Sequence, residues 1–171
     1  MASRAIQLAV LIAAIGFWMI EAAPARAEGD PAALAAALKD TSATLQGGLK
    51  ASEAQGTPIS AKFELEDGKL QLSVYILKGD AFTEVVADPN TGAIKEAETI
   101  KDADDLTEAT AQKAAMAKAK VPLLTAAETA ANANAGFQAV SIYPQLQNGN
   151  PTAEVTLLEG TTFKKVIEKL D

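Results

Sequence analysis

The chain contains neither cysteine nor histidine. Without thiols it has no disulfide framework, no thiolate nucleophile and no Cys-ligated zinc. Without imidazole, His-assisted hydrolysis and haem on a histidine are excluded as well. Positive charge is also scarce: 15 Lys+Arg stand against 22 Asp+Glu, for a net charge of −7. Such a balance argues against nucleic acid, whose phosphates require a basic footprint. The apolar fraction is nevertheless 49% and the charged fraction 22%, which is a folding composition. A length of 171 residues allows one or two domains.

The first segment has the pattern of an export signal. Arg4 supplies a positive charge, and Ala5 to Ile20 is apolar apart from Gln7. Ala23-Pro24-Ala25 and Ala25-Arg26-Ala27 then offer two small-residue cleavage frames, of which the second, cutting after Ala27, is favoured. The 16-residue run is short for a membrane span, which takes about 20 apolar residues. The expectation is a signal peptide over 1–27, a periplasmic or secreted location, and no membrane association after cleavage. Both arginines, Arg4 and Arg26, precede residue 28, so the exported part lacks the side chain best suited to bidentate phosphate capture.

Beyond the leader the chain repeats itself. A shift of 81 positions aligns 60–90 with 141–171 without a gap, giving 8 identities in 31 pairs. They include Ser60 with Ser141, Gly68 with Gly149, Val74 with Val155, Gly79 with Gly160 and Phe82 with Phe163. These are turn glycines and alternating apolar positions, where a shared backbone would require them. The expected fold class is α+β: two copies, 28–100 and 101–171, each of helices plus a three-stranded antiparallel β-meander. Asp30-Pro31 and Thr44 begin the helices of the first copy. In the second, a helix near 103–119 has Asp104, Asp105 and Glu108 at its acidic start, and Thr125-Ala-Ala-Glu128 forms a capping box for the next.

Asp67-Gly68 marks a two-residue hairpin turn, and Asn148-Gly149 repeats it. That register sets Leu65, Phe63, Ala61 and Ile59 opposite Leu70, Leu72, Val74 and Ile76, an apolar face. In the second copy Leu146, Ile142 and Val140 face Pro151, Val155 and Leu157. The following hairpins, at Gly79-Asp80 and Gly160-Thr161, place Tyr75, Leu77, Phe82 and Val86, and then Leu158, Phe163 and Ile167, on the face away from the helices. That apolar patch is either covered by the other copy and its helices or open to a partner.

An apolar strand, an Asp-Gly turn, a central strand and a third strand ending in Asp88-Pro-Asn-Thr91-Gly92 resemble the PepSY domain family over 44–94. The second copy matches over 125–171, stopping at Asp171 before that final element. The resemblance implies an exported, non-catalytic module. Members of the family occur in propeptides of thermolysin-type metallopeptidases, where peptidase inhibition has been proposed. Others are small periplasmic proteins, some linked to metal or lanthanide binding.

The residues themselves give little purchase for catalysis. Ser60 and Ser141 recur, and Lys62 could activate the first, but position 143 in the second copy is Tyr. Glu64 and Glu66 stand two apart beside Lys62 and Lys69, as on an ordinary wetted strand. The chain is therefore read as a binding protein without a catalytic centre or required cofactor, its partner a protein or peptide. The first copy is the better receptor, with edges at Ile59–Glu66 and Ala81–Asp88, because Pro144 blunts the corresponding edge of the second. A second reading gives Asp102, Asp104, Asp105 and Glu108 to a hard cation, Ca²⁺ or a lanthanide. Asp88-Pro-Asn90-Thr-Gly92 has the wrong glycine spacing for a calcium loop and is read as a turn.

Overall fold

The computed structural model describes residues 30–171, so the expected leader lies outside the described residues. Helix α1 (Pro31–Leu38) starts where the sequence places it: Asp30 Oδ1 accepts the Ala32 N–H at 2.9 Å, and Pro31 occupies the first turn. Thr44 caps α2 (Leu45–Ser52), accepting the Gly47 N–H at 3.0 Å. Helix α3 (Ala103–Met116) is capped by Asp102, whose Oδ1 takes the N–H groups of both Asp104 and Asp105. Helix α4 (Leu123–Ala133) departs from expectation. It begins two residues before Thr125, at Leu123, with Pro122 at the N-cap and no side-chain cap. Thr125 is thus inside the helix, where its carbonyl accepts the Thr129 hydroxyl. The earlier start buries Leu123, and the adjoining N–H groups of Lys120 and Val121 are both taken by the Leu170 carbonyl.

The strands are β1 (Thr57–Glu66), β2 (Lys69–Lys78), β3 (Ala81–Ala87), β4 (Ile94–Thr99), β5 (Gln138–Gln147), β6 (Asn150–Glu159) and β7 (Thr162–Lys169). They form one antiparallel sheet in the order β4-β3-β2-β1-β5-β6-β7. The sheet differs from a pair of separate three-stranded meanders in two ways. Ile94–Thr99, beyond the three strands expected, contributes β4, a fourth strand on the first meander. The two meanders also merge into a single sheet through β1 and β5, pairing Ala61 with Ile142 and Lys62 with Ser141. Pro144 lies just past this short seam, and with no N–H it cannot extend the ladder toward β1.

The hairpin registers follow the sequence from the turns inward. Leu65 faces Leu70, Phe63 faces Leu72 and Ala61 faces Val74, with Leu146 opposite Pro151 and Ile142 opposite Val155 in the second hairpin. Both then slip once. A bulge at Ile59 sets Pro58 opposite Ile76, and a bulge at Val140 sets Ala139 opposite Leu157. The predicted pairs Ile59–Ile76 and Val140–Leu157 are therefore displaced by one residue. The two bulges are 81 positions apart, as are the turn glycines: Gly68 and Gly149 have φ of 73° and 82°, and Gly79 and Gly160 have φ of 63° and 60°. Asp67 and Asn148, beside them, share the left-handed region at φ 50° and 52°, as a type I′ turn requires.

Alternation divides each strand between two faces. One carries Ala61, Phe63, Leu72, Val74, Ile76, Val85, Ala87, Ile142, Val155 and Leu157. It is buried with Ala35 and Leu38 of α1, Leu45 and Leu49 of α2, and Leu123, Ala126, Ala127 and Ala130 of α4 in one continuous core. Among the described residues no helix is long and apolar enough to cross a membrane.

Candidate binding surface

The opposite face has its own helix. Ser60, opposite Tyr75 on that face, donates its hydroxyl to Gln112 Oε1 of α3 at 2.8 Å, and both residues are buried. Lys113 Nζ lies 5.9 Å from the centre of the Phe82 ring. Helix α3 buries little besides Ala109, Gln112 and Ala115. The expected apolar patch is therefore not an open surface. Tyr75, Leu77, Phe82, Val86 and Phe163 are half-buried, Leu158 is only 3% exposed, and Ile167 alone stands out at 46%. An alanine-lined stripe carries too weak a periodic signal for sequence to assign α3 to this face.

Beyond α3, toward the β4 edge, the same face is acidic. Glu64 and Glu66 of β1, Glu84 of β3, and Glu96 and Glu98 of β4 share it, since Glu84 pairs with Glu98 and Val86 with Glu96. Glu66, Gln71, Glu84, Val86, Glu96 and Glu98 line a recess of about 170 Å³. Its polar groups are organised: Gln71 Nε2 donates to Glu66 Oε2 at 2.9 Å, and the Ser73 hydroxyl donates to Glu64 Oε1 at 2.7 Å. Lys62 pairs with Glu64 and lies 5.8 Å from the centre of the Tyr75 ring. Burial pushes the Glu84 carboxyl above the ordinary carboxylate value, and the charges of Glu64 and Glu66 add to the shift. Burial likewise raises the Tyr75 phenol, with Glu84, Glu64 and Asp105 contributing. The negative field thus extends over much of this surface. Sequence alone could not assemble it, because β4 was not visible as a strand.

The other predicted sites fare differently. Asp102, Asp104, Asp105 and Glu108 do not form a cation site: Asp102 is spent on its cap, and among the described residues no group of three or more acidic side chains is placed to hold a metal ion. Asp88 is the turn former expected. Its Oδ1 accepts the N–H groups of Asn90 and Thr91 at 2.9 and 2.8 Å, and its Oδ2 pairs with Lys95 at 2.6 Å. The Lys95 ammonium and those two N–H groups hold its carboxyl well below the usual range. Ser60 lies buried under α3, bonded to Gln112, and Lys62 is engaged by Glu64, so no Ser–Lys pair exists. Of the expected receptor edges, Ile59–Glu66 lies at the sheet's centre and pairs with β5 at Ala61 and Lys62, and Ala81–Asp88 is paired along its outer side with β4. Among the described residues the outermost strands of the sheet are β4 and β7.

A second, larger recess of about 400 Å³ lies where the end of α2 and the start of β1 meet the α3–α4 connection. Leu49, Pro58, Met116, Val121 and Leu123 line it, with Glu53 and Lys120 among its polar residues. Glu53 is paired with Lys50, and the Lys120 N–H with Leu170, so this recess offers apolar surface with little to orient a ligand. No protein-family model matches the chain, and searches of curated proteins and of solved structures find no match.

Proposed function

We propose that the chain is an exported, non-catalytic binding protein composed of two PepSY-like copies, and that it captures a cationic, extended peptide segment along the β4 edge. The duplication is supported by the common 81-residue spacing of the hairpin registers, the bulges and the positive-φ glycines. Among the described residues β4 has no counterpart beside β7, and the first helix of the second copy packs on the opposite face of the sheet. The absence of His and Cys, and the engagement of Ser60 and Lys62 elsewhere, support a role without covalent chemistry.

One observation carries the ligand class: Glu66, Glu84, Glu96 and Glu98 converge on one recess beside an open strand edge. An added strand would satisfy outward N–H and C=O groups of β4, while alternate Lys or Arg side chains would reach the glutamates. Neutralising clustered carboxylates relieves their mutual repulsion, which is the differential interaction binding needs.

The test uses two short extended peptides, one alternating Lys with Thr and one alternating Glu with Thr. The basic peptide should bind, more weakly as salt rises, and should protect β4 amides from hydrogen exchange. Glu96→Gln with Glu98→Gln should abolish that binding. Equal binding of both peptides, or of neither, would refute the reading. A melting-temperature rise with Ca²⁺ or La³⁺ alone, removed by Glu84→Gln, would assign the recess to a hard cation instead.

A further inference from the structure

The other edge, β7, has different chemistry. Its sequence, Thr162-Phe-Lys-Lys-Val-Ile-Glu-Lys169, carries three lysines and Ile167, one of two large hydrophobic residues that stand exposed among the described residues. An eight-residue edge with an exposed isoleucine invites pairing unless something prevents it. At the position 81 residues earlier a strand does occupy this place. The spacing of 81 places β7 on β3, and the outer side of β3 is occupied by β4 in antiparallel register. Beside β7 the corresponding place holds no strand of the described residues.

We propose that β7 pairs antiparallel with β7 of a second copy of this chain, joining two sheets across a two-fold axis. A two-fold axis perpendicular to the sheet keeps like faces together, so each residue must meet one of its own face in the other copy. Three registers centre on the middle of the strand. Centring on Lys165 sets two lysines directly opposite. Centring on Ile167 brings Lys165 against Lys169 twice. Centring on Val166 alone avoids like charges: Lys164 meets Glu168 twice, Val166 meets Val166, Lys165 meets Ile167, and Phe163 meets Lys169. On the face that carries Phe163, the two Ile167 side chains become diagonal neighbours. Lys164 now reaches Asn134 and the Phe137 ring, and Lys165 reaches Glu154.

The β4 edge cannot do the same. Glu96 and Glu98 share a face; centring β4 on Glu96, Ala97 or Glu98 sets glutamate against glutamate, and centring it on Lys95 sets lysine against lysine. One edge is thus self-complementary and the other self-repelling, so pairing closes at a dimer and does not run on into a filament through β4–β4 contacts. This inference is independent of the peptide-binding reading, which concerns the opposite edge.

Sedimentation equilibrium on protein purified from cells expressing the whole chain should find twice the monomer mass at micromolar concentration. Lys164→Glu alone sets Glu against Glu168, and Glu168→Lys alone sets Lys against Lys164. Either should weaken the dimer by about tenfold or more, since two pairs turn from attraction to repulsion. The double variant Lys164→Glu/Glu168→Lys restores opposite charges and should restore the dimer, which a merely misfolded single variant would not do. Hydrogen exchange should show β7 amides more protected in concentrated than in dilute solution. A monomer at all concentrations, a dimer indifferent to both single changes, or a double variant no tighter than the singles would each overturn the proposal.

Discussion

Ala61 of β1 lies directly opposite Ile142 of β5, the residue 81 positions further along the chain. Lys62 opposite Ser141 completes the seam, and these pairs are the ladder between the two meanders. So short a ladder cannot by itself hold seven strands together. The halves are joined by the core beneath, where Ala61 and Ile142 are fully buried with residues from α2 and α4. Ile142→Ala should therefore cost about 2–5 kcal/mol through the cavity it leaves. Both halves should still unfold in one transition, because they share that core. Urea unfolding followed by far-ultraviolet dichroism and by Tyr75 and Tyr143 absorbance would check this; separate midpoints would mean independent units.

Gly48 should resist replacement although it sits in a helix, where alanine ordinarily gains about 1 kcal/mol. A Cβ there would come within 2.4 Å of Leu72 Cδ2, and Leu72 is fully buried. Gly48→Ala should destabilise by about 1–3 kcal/mol from overpacking. Gly48→Ala combined with Leu72→Val should recover part of the loss, measured as the denaturation midpoint.

The hydrogen bond from Ser60 to Gln112 makes α3 sensitive to one substitution. Gln112→Ala leaves the buried Ser60 hydroxyl unpaired, at a cost of about 1–3 kcal/mol. Adding Ser60→Ala should return much of it, since both polar partners are then gone. Hydrogen exchange in α3 should rise in the single variant and fall back in the double.

Two carboxylates should give opposite pH signatures. Glu84 has a raised native pKa, so the folded state binds a proton more readily than the unfolded state. Stability from this group falls as pH rises from the ordinary carboxylate value through the raised one. Glu84→Gln should melt higher than the parent at neutral pH and show no advantage in acid. Asp88 is depressed, so its contribution is present above the ordinary carboxylate pKa and is lost as pH falls toward its native value. Asp88→Asn should melt lower at neutral pH, with the gap closing in acid. Melting curves from pH 3 to 8 would separate the two.

Asp102 distinguishes a cap from a ligand. Asp102→Asn keeps a good capping side chain and should change stability little, while Asp102→Ala should cost about 1 kcal/mol. Neither should alter the response of the melting temperature to Ca²⁺.

Local chemistry determined a good part of this molecule from sequence. Asp30, Thr44 and Asp102 start helices because their oxygens satisfy nearby N–H groups, and Asp67-Gly68 and Asn148-Gly149 fix the hairpins because few residues adopt a left-handed turn. From those turns the alternation of apolar residues set the register until each bulge shifted it. What the tertiary structure alone decided is non-local. The pairing of β1 with β5, the addition of β4, and the choice of face for α3 depend on surfaces that meet only after the chain has folded back on itself. Ile94–Thr99 has too little alternation to announce a strand, and the buried alanines of α3 too little bulk to announce a face. The acidic recess and the charge contrast between the two edges follow from those three choices, because each gathers side chains distant in sequence onto one surface.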